Sequence, residues 1–282
     1  MLVSIYIPTK NRVDSLKIAV ESALNQTYQD IELIIVNDGA TDGTHDYLVA
    51  LANNDARVKY IQNKKSIGAP AARNLAIKQA SGYFVTGLDD DDKFEPYHIE
   101  SLVNYWQLLE NAQQEFSAIY VQDKLKKINE IRVTKKWSSV QAEDLFFNNA
   151  IGNQLFSTKE RYVNAGLFNE DMPAWQDLDF FYRFLKKHGN AKLLDISSHV
   201  FDISPRGDRI STSNKEKIIS AYQKFVESNN IHSSKEKHLL LSQVFSDWYG
   251  FKVTFSDVLL VLKTGWNLKA FLKILRKWIN VI

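Results

Sequence analysis

The first 125 residues alternate between short β-rich runs and segments of helical periodicity. The β-rich runs cover residues 3–7, 31–36, 58–61 and 83–88, and helical spacing is present at 13–24, after Gly39 and at 70–80. Strands and helices that alternate at this spacing indicate βαβ units, whose strands form a parallel sheet with helices on both faces. We therefore predict an α/β fold with a mostly parallel central sheet flanked by helices.

A polar segment follows each of the four predicted strands. The segments are Pro8-Thr9-Lys10-Asn11-Arg12, Asn37-Asp38-Gly39, Asn63-Lys64-Lys65-Ser66-Ile67-Gly68 and Asp89-Asp90-Asp91-Asp92. In sheets of this kind ligands bind outside the carboxyl ends of the strands. We expect the four segments to meet at one edge of the sheet and to form a binding site there.

The fourth segment is a run of four aspartates. Adjacent carboxylates repel one another, so such a cluster is costly unless a positive charge neutralises it. The chain contains no cysteine, so a metal would have oxygen or imidazole ligands, and a carboxylate cluster suits Mg²⁺ or Mn²⁺. The alternative is a solvated acidic turn. The position of the run directly after a buried-looking strand favours a metal site.

Two further segments have the composition of a phosphate and nucleobase site. Small residues lead from Gly68 into a helix, whose N-terminus favours phosphate, and Arg73 one turn later could hold a diphosphate with two hydrogen bonds. The alternative for this segment is ordinary capping with a surface arginine. Asp38 could accept a hydrogen bond from the ring N–H of a base such as uracil, although a tight turn alone also explains the sequence Asn-Asp-Gly.

The segment from Trp175 to Asp179 begins a predicted helix and carries two carboxylates. Asp177 and Asp179 are two positions apart and therefore point in different directions. One could act as a general base and the other as a structural cap. The alternative is that both are acidic residues favoured by the helix dipole.

The rest of the chain has a mixed pattern. Strands are predicted at 118–122 and 130–133, a short helix at 141–148, a helix at 175–187, an extended segment at 192–203 and helices from 214 to the end. The net charge of +2 gives no reason to propose nucleic-acid binding. No apolar run reaches the length of about 18 residues that a spanning helix needs. We expect a cytoplasmic enzyme.

The C-terminal tail is basic and amphipathic. Its apolar residues recur every three or four positions, at Leu268, Phe271, Leu272, Leu275, Trp278, Ile279 and Ile282. Basic residues occupy another face, at Lys269, Lys273, Arg276 and Lys277. This pattern predicts peripheral contact with a membrane interface through residues 267–282. The alternative is that the apolar face packs on the catalytic domain or on another subunit, which would give a homo-oligomer.

Taken together, the motifs resemble those of glycosyltransferase family 2, whose members are inverting nucleotide-sugar transferases with the GT-A (Rossmann-like) fold. The matching segments are Val3 to Arg12, Val36 to Thr44, Gly68 to Asn74, Leu88 to Asp92, Gly166 to Glu170, and Gln176 to Asp179 with Arg183. The resemblance covers residues 1 to about 210, in the family's order. It implies a catalytic domain at 1–210, with a donor half at 1–125 and an acceptor half at 126–210, and a helical extension at 211–282.

The resemblance also implies a role for each matching residue. The nucleotide-binding residues would be Pro8, Thr9, Asn11, Arg12, Asp38, Gly68, Arg73, Asp89 and Asp90. The metal ligand would be Asp91, with Asp89 directed towards the ribose and the metal. Asp177 would be the catalytic base, and Trp175, Gln176 and Asp179 would lie on the acceptor side. Two positions depart from the family pattern, because Gln176 stands where glutamate is usual and Asp90 where a small residue is common.

The reaction implied is the transfer of a sugar from a nucleotide diphosphate sugar, by family default a UDP-sugar, to a hydroxyl of a glycan. The acceptor would be a lipid-linked oligosaccharide, lipopolysaccharide or capsule, and the enzyme could work peripherally at the inner face of the cytoplasmic membrane. A basic loop with Arg206 and Arg209 could close over the diphosphate, and a plain surface loop is the alternative. The rival functions are an inactive nucleotide-sugar-binding protein and a nucleotidyltransferase. The second rival is disfavoured because residues 8–12 lack glycine.

Overall fold

The alternation predicted for the first half of the chain is present in the computed structural model, which describes residues 1–127, 130–204, 215–246 and 248–264, with Leu272, Ile274, Leu275 and Trp278 from the tail. The first elements are β1 (Val3–Thr9), α1 (Val13–Leu24), β2 (Ile31–Asp38), α2 (Thr44–Asn54), β3 (Val58–Asn63), α3 (Ala69–Gln79), β4 (Phe84–Gly87), β5 (Lys93–Phe94) and α4 (His98–Asn111).

The first sheet confirms the predicted α/β fold with a mostly parallel sheet. Strands β3, β2, β1 and β4 are parallel neighbours in that order. All eight residues of β2 are buried, as expected for a strand covered on both faces. The chain moves outward from β1 through β2 to β3 and then returns to the other side of β1 with β4. This reversal of strand order creates a crevice at the carboxyl ends of β1 and β4.

The second half of the chain adds β6 (Ala118–Lys127), β7 (Glu130–Val133), β8 (Ser139–Val140), a 3₁₀ helix (Ala142–Phe146), β9 (Ser157–Thr158), α5 (Lys159–Asn164), α6 (Gln176–His188) and β10 (Ala191–Asp202). Strand β9 lies antiparallel beside β4 at the edge of the first sheet. The expected boundary between the donor and acceptor halves, at residue 125, falls within β6.

The second sheet has the order β5, β10, β6, β7. Strand β10 is parallel to β6 and antiparallel to β5, with His199 opposite Phe94 and Val200 opposite Lys93. Because β5 begins directly after the aspartate run, this pairing brings the C-terminal part of β10 underneath that run.

The C-terminal extension consists of α7 (Lys215–Ser228), α8 (Ser234–Val244) and α9 (Phe255–Thr264). Its buried side chains, among them Phe225, Leu240 and Val261, belong to the same hydrophobic cluster as Tyr6 of β1. The extension therefore packs against the part of the chain that contains the two sheets. Within the described ranges, no helix combines the length and the apolar character needed to cross a membrane.

Two of the tail residues that the structure describes pack inward. Ile274 is fully buried, and the ring of Trp278 lies 5.7 Å from that of Phe255. Leu272, in contrast, is 39% exposed. At these positions the packing favours the alternative in which the apolar face of the tail covers the protein itself.

Candidate active site

A cavity of about 1230 Å³ opens where the carboxyl ends of the first sheet meet the second half of the chain. Most residues predicted to bind ligand line it, namely Pro8, Thr9, Asn11, Arg12, Asp38, Gly68, Arg73, Asp89, Asp90, Asp91, Trp175, Gln176 and Asp177. Arg206 and Arg209, the predicted diphosphate loop, lie outside the described residues. The volume exceeds the range of about 300–1,000 Å³ typical of small-molecule pockets, so there is room for more than one substrate.

The loops that follow β1 and β4 are joined by hydrogen bonds to Asp90. Its carboxylate accepts from the Thr9 hydroxyl at 2.8 Å and from the Arg12 guanidinium at 2.9 Å. Burial raises the pKa of Asp90 to about 6, although Arg12 and Thr9 oppose this shift. The extra aspartate of the run therefore ties two loops of the site together.

The other three aspartates form a cluster suited to a metal. Ligand atoms of Asp89, Asp91 and Asp92 all lie within 4.8 Å of one another. Asp89 and Asp91 line the cavity, whereas Asp92 is buried beneath it. Hard carboxylate oxygens at this spacing fit a divalent ion such as Mg²⁺ or Mn²⁺. The donor set is thus consistent with the predicted metal, and Asp92 lies beside the two ligands expected from the sequence.

Asp92 is held in place by residues that the sequence analysis did not identify. Asn153 donates to Asp92 at 2.8 Å and to Asp89 at 3.1 Å, and Nε2 of His199 lies 3.2 Å from the Asp92 carboxylate. The other ring nitrogen of His199 is 3.0 Å from Asp123, which also pairs with Lys136 at 2.8 Å. Burial alone would lower the pKa of His199, but the two carboxylates raise it. A protonated imidazole therefore lies beneath the aspartate cluster and pairs with Asp92.

Arg73 connects the donor side of the cavity with the acceptor side. Its guanidinium donates to Asp89 at 2.9 Å and to the side-chain oxygen of Gln176 at 2.9 Å. It also lies over the ring of Phe168, with a distance of 5.4 Å to the ring centre. The glutamine that departs from the family pattern is thus a hydrogen-bond acceptor for the arginine expected near the diphosphate.

Asp38 lines the cavity, but its carboxylate is already used to fold a neighbouring loop. It accepts four hydrogen bonds, from the side chains of Asn63 and Ser66 and from the backbone N–H groups of Ile67 and Gly68. Burial would raise the pKa of Asp38, but these hydrogen bonds lower it below its usual range. The carboxylate thereby holds the loop that leads into α3.

The turn after β2 needs glycine at position 39. Gly39 has φ of +73°, and a Cβ there would lie 2.8 Å from the backbone nitrogen of Ser66. Asn11, at φ of 54°, accepts a hydrogen bond of 2.7 Å from the backbone N–H of Thr41. The loops after β1 and β2 are therefore packed closely against each other and against the 63–68 loop.

Asp177 is the second residue of α6 and faces the cavity. Among the described residues its buried Oδ1 finds no hydrogen-bond partner. Burial raises the pKa of Asp177 to about 6, and Asp89 adds to this shift while Arg73 opposes it. A carboxylate with an unused oxygen and a pKa near neutrality is suited to take up a proton.

Asp179, which the sequence analysis assigned to the acceptor side, does not line the cavity. It is fully buried and bonds to Arg183 at 2.9 Å and to Asn229 of the extension at 2.8 Å. The two aspartates do point in different directions, and Asp179 is the structural one.

Several rings near the acceptor side also escaped the sequence analysis. Trp137, Phe147, Phe201, Trp248 and Tyr249 line the cavity. They come from separate segments of the acceptor half and the extension, so no local pattern marks them as a group.

Comparison with known proteins agrees with the fold. The model of the family "Glycosyl transferase family 2" matches residues 4–165, more than half of the chain. The Escherichia coli K12 protein named "Putative colanic acid biosynthesis glycosyl transferase WcaA" is 33% identical over 218 residues, which cover 76% of this chain and 77% of the relative. Chondroitin synthase of Pasteurella multocida is 44% identical over 99 residues, which cover 35% of this chain and 10% of that protein.

Two solved structures share the fold across nearly the whole chain. S. aureus TarS 1–349 in complex with UDP-GlcNAc matches with a TM-score of 0.66 at 18% identity, and the match covers 99% of this chain and 79% of the TarS chain. The mannosyltransferase PcManGT of Pyrobaculum calidifontis, in complex with GDP-Man and Mn²⁺, matches with a TM-score of 0.62 at 15% identity. This match covers 97% of this chain and 78% of the PcManGT chain. The resemblance stated from the motifs is confirmed by the family match, and the chain belongs to glycosyltransferase family 2.

Proposed function

We propose that the protein transfers a sugar from a UDP-sugar to a hydroxyl of a glycan, with inversion at the anomeric carbon and with Asp177 as the general base. One observation carries this proposal. Asp177 lines the same cavity as the aspartate cluster, and its buried Oδ1 has no hydrogen-bond partner among the described residues. A base on one wall and a metal-ligand cluster on another are the two parts that a single displacement requires.

The donor would bind between the loops that follow β1, β2 and β4. The N-terminus of α3 would offer backbone N–H groups to the phosphates, and the 63–68 loop, ordered by Asp38, would lie beside the base. Asp89 and Asp91, with Asp92 below them, would hold a Mn²⁺ or Mg²⁺ ion. The ion, when bound, neutralises the charge of the leaving diphosphate. The solved relatives support a nucleotide-sugar donor, and UDP is proposed because TarS binds UDP-GlcNAc.

The acceptor would enter on the side of α6. Asp177 takes the proton of the acceptor hydroxyl while that oxygen forms the new bond to the anomeric carbon and the bond to the nucleotide diphosphate breaks. Arg73 donates hydrogen bonds to Asp89 and Gln176 and so keeps both side chains in position. The sugar transferred would be a hexose or an N-acetylhexosamine.

The acceptor class is proposed from the relatives. WcaA is named for colanic acid biosynthesis and the Pasteurella protein for chondroitin synthesis. We infer a role in the assembly of a bacterial polysaccharide, on a lipid-linked oligosaccharide, lipopolysaccharide or capsule. Such acceptors would place the enzyme at the inner face of the cytoplasmic membrane. Because Ile274 and Trp278 pack inward, membrane contact through residues 267–282 is proposed for the basic face of the tail, and it would be lost when those residues are deleted, as measured by binding to anionic vesicles.

The test of the proposed reaction is the Asp177→Asn substitution. We expect turnover, measured as release of UDP from a panel of UDP-sugars with glycan acceptors, to fall by about 10²- to 10⁴-fold. Calorimetry should show nearly unchanged UDP affinity. Asp171→Asn, which changes an exposed carboxylate of the segment before α6, is the matched control. Near-normal turnover in Asp177→Asn would refute the assignment, and absence of donor turnover in the wild type would support an inactive binding protein.

A further inference from the structure

The C-terminal extension forms one wall of the cavity. The family match ends at residue 165, yet Ser242, Gln243, Ser246, Trp248 and Tyr249 all line the cavity. These residues lie in α8 and in the segment that follows it. The extension therefore contributes to the substrate site as well as packing on the catalytic domain.

This wall is hydrogen-bonded to the acceptor half. Gln243 donates to the backbone oxygens of Leu145 and Phe146 at 2.8 and 2.9 Å. The indole N–H of Trp175 donates to the Tyr249 hydroxyl at 2.7 Å. Together with the bond from Asn229 to Asp179, these contacts hold the wall against the segment that carries Asp177.

Large aromatic side chains are exposed along this wall. Trp248 is 50% exposed, and its ring stacks on that of Phe201 at 6.0 Å with an angle of 15° between the planes. Phe147, 56% exposed, directly follows the 3₁₀ helix to which Gln243 bonds. Exposed rings in a concave wall are unusual unless a ligand covers them.

The chemistry of this wall matches a sugar ring. A sugar presents an apolar face of C–H groups surrounded by hydroxyls, so it pairs with an aromatic plane and with polar groups at the edge of that plane. Trp248 offers the plane, with Phe201 stacked against it. Ser242, Ser246 and Asn148 offer hydroxyl and amide groups in the same cavity. A nucleobase would also stack on a ring, but the proposed donor site assigns the base to the loops ordered by Asp38 and Asn11.

On the basis of the proposed function, we propose that Trp248 is a stacking platform for a sugar of the acceptor that is distinct from the sugar whose hydroxyl Asp177 deprotonates. Trp175, two residues before Asp177, is hydrogen-bonded to Tyr249, the residue after Trp248. The base and the platform therefore lie on adjoining segments, and the proposal assigns them to two sugars of one acceptor. The acceptor is therefore an oligosaccharide or a longer glycan, and its binding depends on the extension.

The test compares Trp248→Ala with Trp248→Phe on an array of mono- to hexasaccharide fragments of bacterial surface polysaccharides, in the presence of UDP and Mn²⁺. The wild type should bind oligosaccharides more tightly than the monosaccharides at their ends. Trp248→Ala should weaken oligosaccharide binding by about 3- to 10-fold, the range of one aromatic contact, and Trp248→Phe should retain most of it. Tyr97→Ala, at a tyrosine that is 42% exposed outside the cavity, is the control.

UDP affinity, measured on every variant, shows whether the fold is intact. Equal binding of mono- and oligosaccharides by the wild type would overturn the inference, as would unchanged oligosaccharide binding in Trp248→Ala. Absence of any glycan binding by a wild type that binds UDP would also overturn it while leaving the donor site in place. Failure of the wild type to bind UDP would instead contradict the proposed function.

Discussion

Arg73 and Gln176, 103 positions apart in the sequence, are joined by a hydrogen bond of 2.9 Å that crosses from the donor side of the cavity to the acceptor side. The same guanidinium pairs with Asp89 of the aspartate cluster. The positive charge of Arg73 therefore acts on both carboxylates that the proposed reaction uses, one at the donor and one at the base.

Removal of the Arg73 charge should alter the pH dependence of catalysis. Arg73 lowers the pKa of Asp177, whereas burial and Asp89 raise it. In Arg73→Gln the pKa of Asp177 should rise further, and the acid limb of the kcat/KM profile should move to higher pH by about 1 to 3 units, the usual effect of an adjacent opposite charge. Arg73→Lys keeps a positive charge and should move the limb less. An unmoved limb in Arg73→Gln would show that the two groups are not coupled.

The wild-type pH profile is a second prediction. Asp177 works as a base only when it is ionised, and its pKa is raised to about 6. Activity should therefore be full above that pH and should fall about tenfold per pH unit below it. The measurement is kcat/KM between pH 5 and 8 with one buffer system of constant ionic strength. A profile that stays flat to pH 5 would argue against Asp177 as the base.

A third prediction concerns the contribution of His199, which lies beneath the aspartate cluster, to stability. His199 lies between Asp92 and Asp123, and all three are buried. Loss of one partner of a buried ion pair leaves uncompensated charge, so His199→Gln should lower the free energy of unfolding by about 3–5 kcal/mol. Urea denaturation measures this, with His45→Gln at an exposed histidine as control. A change in the first variant no larger than in the control would contradict the role assigned to His199.

The residues predicted from the sequence are those whose position follows from a single strand or helix. Asp38, Asp89 and Asp91 follow buried strands, and Asp177 begins a helix, so the rule that ligands bind at the carboxyl ends of parallel strands brought them together. That rule does not specify which groups their side chains contact. Asp38 folds a loop with its carboxylate, a use that depends on the 63–68 loop and not on its own local sequence.

His199 and Trp248 show what the sequence could not predict. His199 reaches Asp92 because β10 pairs with β5, and nothing in residues 191–202 specifies that partner. Trp248 reaches the cavity because the extension docks on the 3₁₀ helix and on Trp175. Both positions result from contacts between distant segments, for which a single sequence contains no periodic signal.

The fourth prediction separates the aspartates of the run by their tasks. Asp91 and Asp90 are adjacent and both line the cavity, but Asp90 accepts from Thr9 at 2.8 Å and from Arg12 at 2.9 Å, whereas Arg12 lies 3.5 Å from the Asp91 carboxylate. We expect Asp91→Asn to weaken Mn²⁺ binding in the presence of UDP by at least about tenfold, because the substitution removes one charged oxygen ligand from the site. Asp90→Asn should leave Mn²⁺ affinity close to that of the wild type. It should instead lower the thermal stability, because it disturbs the link between the loops after β1 and β4. Calorimetric titration with Mn²⁺ measures the first effect and thermal unfolding the second. If Asp90→Asn weakened Mn²⁺ binding more than Asp91→Asn did, the metal ligand would be Asp90, and the bonds from Thr9 and Arg12 would have to rearrange when the ion binds.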